Sequence, residues 1–224
     1  MKLYPYILFD LDGTLIDTGE GVGNSVLYAM ERMGLPLPED RSSLGRFVGP
    51  PLRESYAEFC HLSPEEVQRA IRIHREYYSE KGLWECSVYP GIPELLARLR
   101  DAGRILLVAT SKPEKFSVAL LEKLNLAQYF TFIAGADNDE TGADSPRADK
   151  VGVIRYGLEQ CGITDLSGVV MVGDRKYDIN GANAVGIASV GITYGYGDAE
   201  ELAAAGAGWI ADTPEAVGDL LLGE

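Results

Sequence analysis

Short apolar runs rich in branched side chains recur along the chain, and stretches with helical spacing of apolar positions lie between most of them. A short apolar run is typical of a buried strand, whereas apolar residues every three to four positions are typical of an amphipathic helix. Strands that alternate with helices form βαβ units, so the pattern predicts an α/β fold, a three-layer sandwich around a parallel sheet. The predicted strands are YILF at 6–9, ILLVA at 105–109, FIAG at 132–135, VVMVG at 169–173 and ASVGI at 188–192.

The interval 16–85 interrupts this alternation, because it carries amphipathic helical patterns and no convincing strand. A third helix in it is predicted to begin at Pro64, with Ser63 as its N-cap. We therefore predict two domains: a core formed by residues 1–15 and 86–224, and a helical domain at 16–85 inserted after the first strand. The first two helices are marked by the apolar stripes Val22, Val26, Met30 and Met33, and Leu52, Tyr56 and Phe59.

Polar and charged side chains stand where predicted strands end or where the following helix begins. Ligands of open α/β sheets collect beyond the carboxyl ends of the strands, so these side chains are expected at one edge of the sheet. Buried carboxylates cost several kcal/mol unless a metal, a proton or another partner meets them. The set comprises Asp10, Asp12 and Thr14 after the first strand, Thr110 and Ser111 after the second, Lys150 at a helix start, and Asp174 and Asp178 after the fourth.

This set contains the groups that phosphoryl transfer to an aspartate requires. One carboxylate attacks phosphorus in line, and a second carboxyl group protonates the leaving oxygen. A hard divalent cation neutralises carboxylate and phosphoryl oxygens together, and Mg²⁺ fits this ligand set best. A hydroxyl, a lysine and backbone N–H groups can hold the remaining phosphoryl oxygens. A calcium loop starting at Asp10 is disfavoured, because Leu15 and Gly21 stand where such a loop needs Gly and Glu.

The net charge and the cysteine pattern limit the cellular compartments and the classes of partner that are expected. The 224 residues carry a formal net charge of −14, which argues against a nucleic acid polymer or an anionic membrane as a partner. Three cysteines without a Cys-x-x-Cys pair indicate neither a disulfide framework nor a zinc site. The first apolar run is interrupted by Asp10 and Asp12, so it does not resemble a signal peptide. We therefore predict a cytoplasmic protein.

Four segments resemble the motifs of phosphatases of the haloacid dehalogenase superfamily, and the resemblance covers the whole chain. YILFDLDGT resembles the first motif, VATSK the second, Lys150 the third and GDRKYD the fourth. The segments FVGPPLRESY, ATSKPEKF and MVGDRKYDINGA are similar to the phosphoglycolate phosphatase-like branch, especially its 5′-nucleotidase-like members.

This resemblance implies a Rossmann-like core with a helical cap domain, and it implies specific roles for the site residues. Asp10 would be the nucleophile and Asp12 the general acid/base, with Thr110 and Lys150 as further catalytic residues. Mg²⁺ would be bound by Asp10, the Asp12 carbonyl and Asp174, with Asp178 assisting. Lys150 lacks the proline that follows it in many relatives, and the neighbouring Arg147 could share its role. Candidates for substrate contacts are Thr14 and Ser111 in the core and Arg46 and Arg53, which flank the Gly-Pro-Pro turn of the cap.

Two other functions remain open at this stage. A phosphosugar mutase shares all four motifs. A phospho-acceptor signalling domain also combines acidic residues, a hydroxyl and a lysine, although its lysine comes last and here Lys150 precedes Asp174. A serine hydrolase is disfavoured, because the chain has no Gly-x-Ser-x-Gly elbow. The sequence therefore predicts a Mg²⁺-dependent phosphatase of small phosphorylated metabolites, and it specifies neither the substrate nor the oligomeric state.

Overall fold

A computed structural model describes residues 4–137 and 145–223. The acidic stretch 137–144, which the sequence predicts as an exposed loop, lies outside the described residues beyond Asp137. The chain divides into two compact units, one from residues 1–16 and 88–224 and the other from residues 17–87.

The first unit is built on a six-stranded sheet in which every neighbouring pair of strands is parallel. Among the described residues its strands are β1 (Tyr6–Phe9), β4 (Ile105–Pro113), β5 (Phe132–Ala136), β6 (Val169–Gly173), β7 (Ala188–Ile192) and β8 (Trp209–Ala211). They lie in the order β5-β4-β1-β6-β7-β8, so the first strand of the chain is central. The predicted parallel α/β fold is confirmed.

Helices accompany the strands of this sheet and bury their apolar residues. They are α4 (Ile92–Asp101), α5 (Glu114–Lys123), α6 (Lys150–Gln160), α7 (Lys176–Val185), α8 (Ala199–Ala204) and α9 (Pro214–Leu222). The apolar residues of α6 and α7 form one core cluster with Leu8, Leu107 and Met171. Because side chains alternate across a strand, Ile7 and Phe9 point to the opposite face, and they too are fully buried. Both faces of the central strands are therefore buried, and the polar groups lie at the strand ends.

The second unit is helical, with α1 (Gly19–Met33), α2 (Leu52–Phe59) and α3 (Pro64–Glu80). The predicted cap of α3 is confirmed: the Ser63 hydroxyl accepts from the Glu66 N–H, and the Glu66 carboxylate accepts from the Ser63 N–H. Val22 and Val26 of the predicted α1 stripe are buried, whereas Met30 and Met33 are only half-buried.

Three strands of the structure are not predicted by the apolar runs in the sequence. β8 has three residues, two of them exposed at the edge of the sheet, so it lacks a buried apolar run. β2 (Ile16–Asp17) and β3 (Ser87–Val88) pair with each other and have two residues each, which is too short for a periodic signal.

The helices among residues 4–137 and 145–223 are all too short or too polar to cross a membrane.

Candidate active site

The carboxyl end of β1 carries the first site residues. The Asp10 N–H donates to the Val172 carbonyl at 2.9 Å, so the backbone still follows the sheet where the first carboxylate leaves it. Gly13 then adopts φ 81°, a left-handed conformation that favours glycine. A Cβ atom on Gly13 would lie 2.2 Å from Asp174 Oδ2, so this turn also lets the backbone approach the carboxylate at the end of β6. Gly13 therefore allows the residues that follow β1 to approach the carboxylate that follows β6.

Asp10, Asp174 and Asp178 form a buried acidic triad. One carboxylate oxygen from each lies within 4.8 Å of the others. Lys150, the first residue of α6, reaches the same place: its Nζ lies 2.8 Å from Asp10 Oδ1 and 2.7 Å from Asp178 Oδ1. The ammonium also donates to the Ala109 carbonyl at 3.1 Å. The structure therefore brings together four residues that the sequence predicted as a group.

Burial and mutual repulsion dominate the electrostatics of the triad. Burial and, after it, the nearby Asp178 charge raise the pKa of Asp10 to about 7, against the opposing effect of Lys150. Burial also raises the pKa of Asp174 well above its usual range, with Asp178 and Asp10 acting in the same direction. For Lys150, burial lowers the pKa, but the Asp10 and Asp178 carboxylates outweigh burial and leave its pKa above the ordinary value. The triad thus carries more negative charge than one lysine offsets.

Asp174 is held by the loop that follows β7. The Tyr196 N–H donates to Asp174 Oδ2 at 2.8 Å. A Cβ atom on Gly195 would lie 2.5 Å from Asp174 Cβ, and one on Gly197 would lie 1.9 Å from the Asp174 carbonyl oxygen. This Gly-x-Gly loop was not assigned a site role from the sequence. The sequence feature that could have indicated this role is the pair of glycines shortly after a predicted strand. Without a Cβ atom, the two glycines allow the loop backbone to lie close to Asp174.

Thr14, predicted as a substrate contact, is fully buried, and its hydroxyl donates to Asp174 Oδ1 at 3.3 Å. Its own carbonyl accepts from the Tyr194 hydroxyl at 3.2 Å. The structure therefore gives Thr14 a place supporting Asp174, and a direct contact with substrate stays a prediction.

Asp12 pairs with a second buried lysine. Lys112 Nζ lies 2.8 Å from Asp12 Oδ1 and 3.0 Å from Asp12 Oδ2. The Lys112 side chain is 6% exposed and the Asp12 side chain 14%, so the Asp12 carboxylate is more accessible than that of Asp10, which is 6% exposed. The sequence interpretation did not assign a role to Lys112. The available signal was its position directly after Thr110 and Ser111 at the end of a predicted strand.

Thr110 lies buried in the second half of β4, two residues before Lys112 of the same strand. Its hydroxyl oxygen accepts from the Lys112 N–H at 3.2 Å, which leaves the hydroxyl proton to be donated elsewhere. Ser111 is half-buried next to it. The prediction that these two hydroxyls contact a phosphoryl group agrees with their position but is not tested by it.

Arg147, considered as a partner of Lys150, is engaged in another network. Its guanidinium donates to Asp137, to Glu114 at 2.7 Å and to the Gly135 carbonyl at 3.2 Å, and it lies over the Tyr156 ring at 4.3 Å. Among the described residues Lys150 contacts Asp10, whereas the printed contacts of Arg147 are with this other network. A role shared between the two stays a prediction.

Arg46 and Arg53, the other predicted substrate contacts, belong to the second unit and are exposed. The Arg46 guanidinium lies over the Phe59 ring, 4.6 Å from its centroid. Nothing in this arrangement tests whether either arginine contacts a substrate.

The triad fits a hard divalent cation. Its donors are carboxylate oxygens, which Mg²⁺ prefers, and ligands bound at 2.0–2.1 Å lie at most about 4.2 Å apart, close to the observed limit of 4.8 Å. When all are ionised, the four aspartates of the site and the lysines Lys112 and Lys150 leave two formal negative charges, which one divalent cation balances. Burial and then mutual repulsion raise the pKa values of Asp10 and Asp174, and a bound cation would oppose both effects.

Comparison with known proteins places this site in a family context. Residues 7–192 match the family described as haloacid dehalogenase-like hydrolase. A 5′-nucleotidase of Pseudomonas aeruginosa is 38% identical over 201 residues, which cover 90% of this chain and 88% of that protein. A phosphoglycolate phosphatase of Vibrio parahaemolyticus is 30% identical over 214 residues, with 92% and 91% covered.

Two further likenesses bear on function. The tyrosine-protein kinase PtkA of Mycobacterium tuberculosis is 39% identical over 195 residues, which cover 87% of this chain but 64% of that protein. A crystal structure of a predicted phosphatase from Clostridium acetobutylicum superposes with a TM-score of 0.92 at 43% identity, and the match covers all of both chains.

Proposed function

This chain belongs to the haloacid dehalogenase-like hydrolases, which confirms the resemblance seen in its four motifs, and its relatives support a phosphoric monoester hydrolase. On this premise we propose that it hydrolyses small phosphorylated metabolites with Mg²⁺, through an aspartyl-phosphate intermediate on Asp10. The observation that carries the proposal is the buried triad of Asp10, Asp174 and Asp178, in which Lys150 contacts Asp10 and Asp178, together with Asp12 paired to a different lysine.

In the first step, a carboxylate oxygen of Asp10 forms a bond to phosphorus while the bond from phosphorus to the leaving oxygen breaks. Lys150 holds Asp10 in position through its 2.8 Å contact. Asp12 gives a proton to the leaving oxygen, which departs as a neutral alcohol. The Thr110 hydroxyl can donate its proton to a phosphoryl oxygen while its own oxygen accepts from the Lys112 N–H.

In the second step, water attacks the phosphorus of the aspartyl phosphate, and Asp12 takes the proton that the water loses. The bond between Asp10 and phosphorus breaks, which restores the carboxylate and releases inorganic phosphate. One residue thus serves as acid and then as base. Asp12 suits both roles because its side chain is more exposed than that of Asp10, 14% against 6%.

Asp10, Asp174 and Asp178 would hold Mg²⁺ through their carboxylates, and we propose the Asp12 carbonyl as a further ligand. When bound, the cation would neutralise negative charge on the phosphoryl group and on the triad. The chain's own part is to fix the three carboxylates. The Gly13 turn, the Tyr196 N–H and the Arg175 N–H, which donates to Asp178 at 3.1 Å, all serve this purpose.

The proposed substrates are small phosphate monoesters of the chemical kind named for the relatives, nucleoside monophosphates and phosphoglycolate. We propose the second unit, residues 17–87, as the cap domain that selects among them, with Arg46 and Arg53 as candidate contacts. Two exposed arginines suit substrates that carry a second anionic group.

The test is phosphate release from a panel of phosphorylated metabolites with Mg²⁺, for wild type, Asp10→Asn and the matched control Asp101→Asn. Asp101 is exposed at the end of α4, so its substitution should leave turnover unchanged. Asp10→Asn should abolish turnover and retain the fold. Turnover of Asp10→Asn at the wild-type rate would refute the mechanism.

A second candidate is transfer of the phosphoryl group to a hydroxyl acceptor instead of water. The identity with a protein named as a tyrosine kinase favours this candidate, and a phosphosugar mutase would use the same intermediate. Incubation with ATP and Mg²⁺ followed by detection of phosphotyrosine, and incubation with phosphosugars followed by product analysis, would reveal either activity.

A further inference from the structure

We propose that Lys112 is a positioning residue for the general acid/base: it fixes the orientation of the Asp12 carboxylate for both proton transfers. This inference rests on the proposed phosphatase function and adds a residue to it. Lys150 pairs with Asp10 and Asp178, whereas Lys112 pairs with Asp12, so the two strand-end aspartates of β1 contact different lysines.

The contact itself restricts Asp12. Both of its oxygens lie within 3.0 Å of one nitrogen, so the ammonium fixes the plane of the carboxylate as well as its distance. A carboxylate on a short side chain at a strand end would otherwise rotate about two side-chain torsions. Catalytic groups must be held close to their productive geometry, since a misplacement of about 1 Å can cost roughly 100-fold in rate.

The backbone that carries Lys112 is itself fixed. Pairing between β4 and β5 shifts after Thr110, because Thr110 lies opposite Gly135 and the next paired residue, Pro113, lies opposite Ala136. Such a bulge takes Ser111 and Lys112 out of the regular ladder and re-aims their side chains, as bulges near active sites often do. On either side, the Lys112 N–H donates to Thr110 Oγ1 at 3.2 Å, and the Ser117 hydroxyl donates to the Pro113 carbonyl at 3.2 Å.

Stability alone does not account for this pair. Removing two charged groups from water costs about as much as their attraction returns, and buried ion pairs can often be replaced by apolar residues without loss of stability. Lys112 is nevertheless buried to 6% side-chain exposure, and its ammonium pairs with Asp12, a residue that the proposed mechanism requires. A catalytic reason for the position is therefore the better explanation.

The experiment is a double-mutant cycle on Asp12→Asn and Lys112→Met, with Lys112→Arg as the conservative variant. The control is Lys115→Met, an exposed lysine three residues along the chain. Turnover of p-nitrophenyl phosphate is measured, because an aryl leaving group hardly needs protonation and leaves measurable activity in Asp12→Asn. We expect Lys112→Met to lower kcat by about tenfold or more, up to the ~10²–10⁴-fold that general acid–base catalysis contributes, with KM changed less than about twofold. Lys112→Arg should recover part of the loss.

The decisive comparison is made in the Asp12→Asn background. If Lys112 acts through Asp12, Lys112→Met should change kcat there by less than twofold. An equal loss in both backgrounds, or a raised KM with unchanged kcat, would overturn the proposal and make Lys112 a structural residue or a direct phosphate ligand. An inactive wild type would instead refute the proposed function itself, so the two failures are distinguishable.

A measurement independent of activity covers the case in which Lys112→Met fails to fold. Nitrogen-15 NMR can detect a buried, ion-paired ammonium group whose protons exchange slowly. The Lys112 ammonium signal should be present in wild type and should shift or broaden in Asp12→Asn. An unchanged signal in Asp12→Asn would show that the two groups do not interact and would overturn the proposal.

Discussion

Replacing Asp174 by asparagine tests the metal site through stability. Asp174 is fully buried, and its carboxylate lies in the triad with Asp10 and Asp178. The substitution removes one proposed ligand charge and one source of repulsion. It keeps an oxygen that can still accept from the Tyr196 N–H, which now donates at 2.8 Å. The local hydrogen bonding is therefore nearly conserved, and the change acts mainly on charge.

The expected magnitude follows from linkage. Mg²⁺ binds the folded triad and not the dispersed carboxylates of the unfolded chain. At one hundred times its Kd it should therefore raise the free energy of unfolding by about 2.7 kcal/mol. For a chain of this size each kcal/mol raises Tm by roughly 2–4 °C, so wild type should gain about 5–11 °C. Without Mg²⁺, Asp174→Asn should melt no lower than wild type, because the buried repulsion is smaller. With Mg²⁺ it should gain much less.

The assay must report on the unit that holds the triad, because residues 17–87 form a unit of their own. The chain has two tryptophans: Trp84 in the second unit and Trp209 in β8 of the first. In a Trp84→Phe background, fluorescence at Trp209 follows the first unit alone. The control is Asp101→Asn, which should keep the full Mg²⁺ response. Equal Mg²⁺-induced shifts in wild type and Asp174→Asn would show that Asp174 is not a ligand.

Three further predictions test the other parts of the site. Asp12→Ala should slow alkyl phosphates more than aryl phosphates, within the ~10²–10⁴-fold range of general acid–base catalysis; equal losses for both leaving-group classes would contradict its role. Arg53→Ala should raise KM chiefly for substrates with a second anionic group, and an unchanged ranking across a substrate panel would count against a substrate contact. Gly181→Ala should lower kcat on the order of 10- to 100-fold, because the new Cβ would lie 2.7 Å from Lys150 Cγ. The control Gly23→Ala, whose Cβ would make an ordinary 3.5 Å contact, should leave kcat unchanged.

The sheet and most of the site could be predicted because their signals are local in sequence. A strand that is buried on both faces needs a continuous run of apolar residues. In β1 this run ends directly before Asp10, and in β6 it ends directly before Asp174. A parallel sheet then brings those ends to one edge whatever the loops do. β8 escaped prediction because its exposed edge position removes the need for an apolar run.

Partner choice among side chains could not be predicted in the same way. Lys112, Arg147 and Lys150 all lie near predicted strand ends or helix starts, and nothing in their local sequence tells which aspartate each one meets. The bulge after Thr110 and the packing of α6 on α7 determine which aspartate each lysine contacts. They direct Lys112 to Asp12 and Lys150 to Asp10. Arg147 is instead taken up by Asp137 and Glu114.

The charge balance of the site links its structure to its proposed chemistry. The chain carries a net charge of −14, so a phosphate monoester approaches a protein of its own sign. Two buried lysines do not reverse this locally, since the four aspartates still outnumber them. With a divalent cation the six side chains become formally neutral, and the phosphate no longer meets a net negative site. It follows that Mg²⁺ should lower KM as well as raise kcat. A metal that changed kcat alone would show that the lysines suffice for binding.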